Sequence, residues 1–219
     1  MKRVVVLLSG GIDSTCCLYF AKAEGFTPYC LNFDYGQRHR REIKSARRIA
    51  KEAGCPYLLC KVKFPWKGSS LLDSGLKIPA QRTRGIPSTY VPARNIIFLS
   101  FALSYAEAID AEAVFIGANA RDFSGYPDCR PEFYRAFKRA AQAGLKNKHI
   151  QIRTPLLHKS KAEIIKLGHK LGVPYKFSWS CYQGETRPCG VCDSCRFRAQ
   201  GFREAGLKDP LPPVPDREK

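Results

Sequence analysis

The stretch Ser9-Gly10-Gly11-Ile12-Asp13-Ser14 constrains this chain more than any other feature. It directly follows an apolar run, Val4-Val5-Val6-Leu7-Leu8. It opens a segment, Thr15-Cys16-Cys17-Leu18-Tyr19-Phe20-Ala21, that reads as a helix. A buried strand, a tight glycine turn and a helix N-terminus together make a phosphate-binding arrangement. Glycines let the backbone approach an anion, amide N–H groups point at it, and the helix dipole favours negative charge. The Lys-Ser/Thr of a Walker A sequence is absent, which excludes a P-loop NTPase. The plain alternative is an ordinary Gly-containing βα turn. The whole Ser-Gly-Gly-x-Asp-Ser pattern after an N-terminal buried strand favours the phosphate reading.

Alternating elements follow. Strands are predicted over residues 3–8, 27–33, 57–62, 113–117 and 150–153. Helices are predicted from Ser14, over 42–53, 95–109, 132–143 and 161–171, with Gly54 and Gly172 as stops. Residues 64–90 are rich in Pro, Gly, Ser and Thr and lack periodicity, as functional or mobile segments do. The expected class is α/β, a parallel sheet flanked by helices, with ligands at the carboxyl ends of the strands. The division expected is an α/β domain over 1–175, a four-cysteine zinc-binding element over 176–203 and an extended, proline-rich tail over 204–219.

At 219 residues and 44% hydrophobic content, the chain has enough apolar material for one domain with a sizeable core. It contains no run of about 18 apolar residues, so no transmembrane helix is expected. The apolar run at the start is too short for a signal peptide and leads straight into the glycine loop, so a cytoplasmic location is expected. The net charge of +18 raises nucleic acid as a partner. One basic cluster, Arg38 to Lys51, lies on a helix whose apolar stripe is Ile43, Ala46, Ala50 and Ala53. Its outward face is therefore basic, as a solvated surface or a phosphate field would be.

Four of the ten cysteines crowd together as Cys181-x7-Cys189-x2-Cys192-x2-Cys195. Thiolates are soft ligands, and four of them match tetrahedral Zn²⁺ in a closed, structural site, one per chain. Three sulfurs are expected on one short loop, with Gly190 at its turn and Cys181 arriving separately. An iron–sulfur cluster or a reactive thiol pair are the alternatives. Cys16, Cys17, Cys30, Cys55, Cys60 and Cys129 are scattered and behave as small hydrophobes.

The glycine loop resembles the pyrophosphate loop of the ATP pyrophosphatase (PP-loop) superfamily, whose members split ATP into AMP and pyrophosphate. Further segments narrow the likeness: Asp34-Tyr35-Gly36-Gln37-Arg38-His39, Val91-Pro92-Ala93-Arg94-Asn95, Asp122 to Arg130, Thr154-Pro155-Leu156 and Lys159-Ser160-Lys161. With the loop and the four cysteines they resemble the 7-cyano-7-deazaguanine synthase family, in order, over about residues 3–201. The family commonly has Gly where Ala93 stands and Leu or Met where Ile12 stands; both differences are conservative in size.

That resemblance implies a Rossmann-like fold of the adenine nucleotide alpha hydrolase type. It implies ATP-dependent conversion of 7-carboxy-7-deazaguanine and ammonia to 7-cyano-7-deazaguanine (preQ0), through adenylated acid and amide, for queuosine or archaeosine biosynthesis. ATP with Mg²⁺ would be bound by Leu8, Ser9, Gly10, Gly11, Ile12, Asp13, Ser14 and Gly117. Asp13, Ser14, Lys161 and Arg94 would be catalytic; Asp122, Phe123, Tyr126 and Asp128 would read the heterocycle; Cys181, Cys189, Cys192 and Cys195 would hold zinc. Plainer roles exist: a helix N-cap for Asp13, a solvated first-turn cation for Lys161, an ion-paired Arg94, and a Gly-Pro turn with capping aspartates over 122–128. No membrane and no obligatory nucleic acid are implied; a homodimer is. The competing reading is an ATP-dependent tRNA-modifying enzyme, a thiolase or lysidine synthase type, which would carry an RNA-binding domain or a reactive cysteine pair. A zinc-ribbon binding module without catalysis leaves the glycine loop and the sheet unexplained.

Overall fold

The structure is a computed structural model that describes residues 2–38, 40–73, 75–78, 85–121, 126–184 and 186–211. Its centre is β1 (Arg3–Leu7), whose apolar run is buried on both faces as a parallel sheet requires. Val4 and Val6 point into one core, and Val5 and Leu7 into the other. β2 (Thr27–Asp34), β3 (Tyr57–Lys61), β4 (Ala113–Ile116) and β5 (Gln151–Arg153) complete five parallel strands in the order β3-β2-β1-β4-β5. The chain turns to opposite sides of β1 after β1 and after β3. The carboxyl ends of β1 and β4 therefore flank the topological switch point, where such sheets bind ligands.

α1 (Ile12–Ala23), α2 (Arg41–Glu52), α5 (Lys161–Lys170) and α6 (Asp193–Ala205) cover one face. α3 (Arg94–Ala108) and α4 (Pro131–Gly144) cover the other. The stripe expected on α2 is the buried one: Ile43, Ala46, Ala50 and Ala53 face the core. Its outward arginines are partly engaged, with Arg47 over the Tyr57 ring and Arg48 over Phe177.

Three expectations need correction. α1 begins at Ile12, before Ser14, because extended Gly11 is its N-cap; Asp13 therefore sits inside the first turn and does not cap it. The cysteine element is not only loop: Cys192 is the N-cap of α6 and Cys195 lies in its first turn. The boundary at 203 falls within α6, so residues 204–205 are helical rather than extended. Of the tail, residues 212–219 lie outside the described residues.

Two glycines let the loop be packed from both sides. A Cβ on Gly10 (φ +87°) would lie 2.6 Å from the Glu42 carbonyl and 2.7 Å from the Ala46 nitrogen of α2. A Cβ on Gly117, just after β4, would lie 2.7 Å from the Asp13 backbone. Gly10→Ala should cost more stability than Gly25→Ala, whose φ is also positive (+82°) but whose Cβ would meet nothing within 4 Å. The left-handed backbone accounts for roughly 1–2 kcal/mol in both, and the clash adds about 1–3 kcal/mol in Gly10→Ala alone. Equal losses in urea titrations would show that α2 yields to the methyl group.

Candidate active site

The turn after β1 delivers α1 to the switch point without a side-chain cap, so the Ile12 and Ser14 amides have no acceptor within the helix. Hydroxyls order the turn: Ser14 Oγ and Thr15 Oγ1 donate to the Gly11 carbonyl at 3.2 and 2.7 Å, and Ser9 Oγ lies 3.0 Å from Ser14 Oγ. The Trp179 amide donates to the Gly10 carbonyl at 2.8 Å. Leu8, Ser9, Gly11, Ile12, Asp13, Ser14 and Gly117 line a cavity of about 250 Å³ over this turn. Gly10 lies behind it, against α2.

Lys161 is the first residue of α5. A Ser160–Glu163 capping box fixes that helix start, with Glu163 N–H to Ser160 Oγ at 3.2 Å and Ser160 N–H to Glu163 Oε2 at 2.6 Å. Lys161 Nζ then reaches Asp13, donating to Oδ1 at 2.5 Å and to Oδ2 at 2.7 Å. Both side chains are nearly enclosed and both line the cavity. Lys161 is therefore not a solvated surface lysine.

Arg94 enters from the start of α3 and lines the same cavity. Its guanidinium donates to the Tyr35 hydroxyl at 3.2 Å. Ala93 before it has φ +55°, in the left-handed region where glycine fits best. Tyr126 also lines the cavity, its hydroxyl 2.7 Å from Thr89 Oγ1. Asp128 does not: its buried carboxylate accepts the Asn95 N–H at 3.0 Å at the start of α3. Burial holds that carboxyl above the usual carboxylate range, against the pull of the Asn95 amide and of Arg94. Asp122 and Phe123 lie outside the described residues.

The sequence reading missed several lining residues, among them Asn32, Glu42, Trp179, Tyr182 and Arg198. Glu42 carried a signal, being the lone acid in the basic run from Arg38 to Lys51. Gln37 Nε2 donates to its Oε1 at 3.1 Å. Burial pushes the Glu42 carboxyl up to about 7, against the opposing pull of Arg94 and of the Gln37 hydrogen bond.

The sulfurs of Cys181, Cys189, Cys192 and Cys195 lie within 4.8 Å of one another and can hold a metal ion. Tetrahedral zinc at about 2.3 Å from each sulfur spaces them about 3.8 Å apart; Cys189 and Cys195 sulfurs are 4.0 Å apart. The Gln183, Gly184 and Cys189 amides donate to Cys181 Sγ at 3.4, 3.0 and 3.2 Å, contacts that favour a thiolate. Trp179 Nε1 donates to the Cys181 carbonyl at 3.0 Å, so one residue joins this cluster to the glycine turn.

The family described as "Queuosine biosynthesis protein QueC" matches residues 3–206. The chain is 49% identical over 220 residues to the 7-cyano-7-deazaguanine synthase of Clostridium kluyveri, covering 96% of this chain and 97% of that protein. It is 49% identical over 217 residues to that of Thermoplasma volcanium, covering 96% of this chain and 90% of that one. Among solved structures, a predicted tRNA methyltransferase subunit from Methanocaldococcus jannaschii shares the fold at a TM-score of 0.51 and 17% identity, covering 100% of this chain and 94% of that chain. A 4-thiouridine synthetase solved with RNA and ATP has a TM-score of 0.51 at 19% identity, over 94% of this chain and 50% of that chain.

The raised Glu42 carboxyl has a consequence for stability. The folded chain binds that proton more tightly than the unfolded chain does, so the residue's contribution is full at low pH and is lost as pH rises through about 7. Relative to the parent, Glu42→Gln should gain stability between about pH 5 and about pH 8. Urea midpoints across that range measure it; a constant offset would place the carboxyl in water.

Proposed function

This chain belongs to the QueC family of queuosine biosynthesis proteins, and we propose that it converts 7-carboxy-7-deazaguanine, ammonia and ATP to 7-cyano-7-deazaguanine, releasing AMP and pyrophosphate at each of two activations. The observation that carries this reading is the meeting of the α1 N-terminus with Lys161 in the cavity at the switch point. Amides and an ammonium aimed at one spot suit a departing pyrophosphate, whose charge grows as the α-phosphorus bond breaks. The hydroxyls of Ser9 and Ser14 lie beside that spot, and Asp13 orients the ammonium. Mg²⁺ arriving with ATP would offset phosphate charge, with Asp13 the carboxylate at the turn.

A carboxylate is a poor electrophile. In adenylation a carboxylate oxygen bonds to the α-phosphorus and pyrophosphate leaves; ammonia then displaces AMP from the carbon to give the amide. Adenylation of the amide oxygen then permits elimination to the nitrile. Arg94 is suited to hold the substrate carboxylate, and Tyr126 offers a ring to the flat heterocycle. Asp128 acts by fixing the start of α3, and with it Arg94.

Zinc is the metal best suited to the four sulfurs, because it accepts a closed tetrahedral thiolate set. It would tie the loop at Cys181 to the start of α6 and take no part in the chemistry.

Turnover separates the readings. Synthetic 7-amido-7-deazaguanine with ATP should give the nitrile without ammonia, whereas the acid should require it, and both should release AMP and pyrophosphate. ADP as product, or an inert amide with ATP cleavage that depends on tRNA, would sink the synthase reading. The metal is checked separately: purified protein should hold about one zinc per chain, and Cys189→Ser or Cys192→Ser should lose it and aggregate. An iron–sulfur absorbance would overturn the zinc assignment.

A further inference from the structure

The nitrogen sheds three protons on its way from ammonia to nitrile, one as the amide forms and two as it is dehydrated. Adenylation of the acid releases none. A pocket that performs both halves needs a base near the reacting carbon, and this requirement rests on the function proposed above.

Among the described residues that line the cavity, no histidine is present. Arg94, Lys161 and Arg198 are cations. Asp13 is engaged by Lys161 at 2.5 and 2.7 Å. Burial pushes the Cys129 thiol and the Tyr35 phenol each up to about 12, too high to be free bases near neutrality. Tyr126 and Tyr182 are raised by burial as well. Glu42 remains. Its carboxyl accepts one hydrogen bond, from Gln37, and has no cation within ion-pair distance among the described residues. Arg94, from α3, acts on it electrostatically, and Glu42 in turn raises two phenols that line the same cavity, Tyr35 just after β2 and Tyr182 in the segment before α6. It sits in the first turn of α2, whose backbone presses on Gly10 of the glycine turn.

We propose that Glu42 is the general base for both halves of the reaction. In the first, ammonia's lone pair forms the C–N bond to the acyl adenylate, Glu42 takes a proton from the resulting ammonium, and the C–O bond to AMP breaks. In the second, the amide oxygen attacks the α-phosphorus and pyrophosphate leaves. The nitrogen of the adenylated imidate then loses its two protons through Glu42 to solvent, the third C–N bond forms, and AMP departs with the former amide oxygen. Both ordinary ammonia and the imidate present N–H to the same carboxylate, so one residue suffices. Arg94 facing it keeps enough anion available at neutral pH, while burial keeps that anion basic.

Glu42→Gln tests this, since the amide retains volume and an oxygen for Gln37. Pyrophosphate exchange into ATP driven by 7-carboxy-7-deazaguanine needs no base and should stay within about 3-fold of the parent. Amide formation from the acid, and nitrile formation from synthetic amide, should each fall on the order of 10²–10⁴-fold. The limb of the parent's kcat profile with a midpoint near 7 should vanish in Glu42→Gln and persist in Glu42→Asp. Parallel loss of exchange and turnover would make Glu42 structural. Exchange restored only by more Mg²⁺ would make it a metal ligand, and unchanged nitrile formation would remove it from the chemistry. A parent that shows no acid-driven exchange overturns the functional reading itself, and the base role with it.

Discussion

The contact between Asp13 and Lys161 joins positions 148 residues apart, and the site depends on it. Each charge, almost enclosed, would be costly alone. The helix dipoles make the pair asymmetric. Asp13 lies in the first turn of α1, where the positive end of the helix favours an anion. Lys161 lies in the first turn of α5, where the same field opposes a cation. Lys161 is therefore placed against local electrostatics, and Asp13 is what makes the position tenable. The pyrophosphate group of the proposed reaction would offer the ammonium the same kind of partner. A lysine at this point is poor helix design and good anion design, which is a physical reason to read it as functional.

The cysteine cluster enters the same structure through packing. α6 starts at Cys192, and its Gly201 lies so close to the Lys161 stem that a Cβ there would meet Lys161 Cγ at 2.3 Å. Phe202 then joins the core beneath β1. Arg198, buried on the same helix, donates to Asp209 at 2.7 Å through both Nε and Nη2, and to Ser178 Oγ at 2.8 Å. Trp179, one residue on from Ser178, holds the glycine turn through the Gly10 carbonyl. The element that looked like an appendage in sequence thus forms a wall of the cavity and braces both its glycine turn and its lysine. A metal held by the four sulfurs would act on the cavity through this bracing.

How much of this was legible depended on whether a signal was local. Apolar runs and glycine stops gave five strands and five of the six α-helices, because periodicity and capping act over a few residues. α6 was not anticipated. Its buried positions, Cys195, Arg198, Gly201 and Phe202, have helical spacing, but three of them are not residues that mark an apolar stripe. The cysteine spacing dominated that segment and concealed the helix that starts within it. The motifs Ser9–Ser14, Arg94 and Lys161 were visible as patterns, and the fold gathers them around one cavity. Glu42 stood out as the lone acid of a basic run, but nothing local says whether such a glutamate is buried or solvated, and Trp179 gave no signal. The place of Glu42 in the cavity lining depends on how α2 packs beside the glycine turn, a long-range arrangement. The capping role of Asp128 was weighed in the sequence, but its partner Asn95 lies 33 residues away.

One cavity can serve two activations because the two substrates differ little where ATP acts. Acid and amide each present an oxygen on the same carbon to the α-phosphorus, and in each proposed step that oxygen leaves with AMP. The α1 N-terminus with Lys161, proposed above to hold the phosphates, would therefore need no second form. What differs is nitrogen: absent in the first activation, present with two protons in the second. A site built only for adenylation would stop at the amide, since nothing would draw those protons away. With Glu42 as the proposed base, the side of the cavity lined by Arg94, Tyr35 and Glu42 would supply that difference, apart from the Asp13–Lys161 side. On this argument the step from amide to nitrile is a matter of proton transfer at an existing site, and its specificity lies in which carboxylate stands beside the nitrogen.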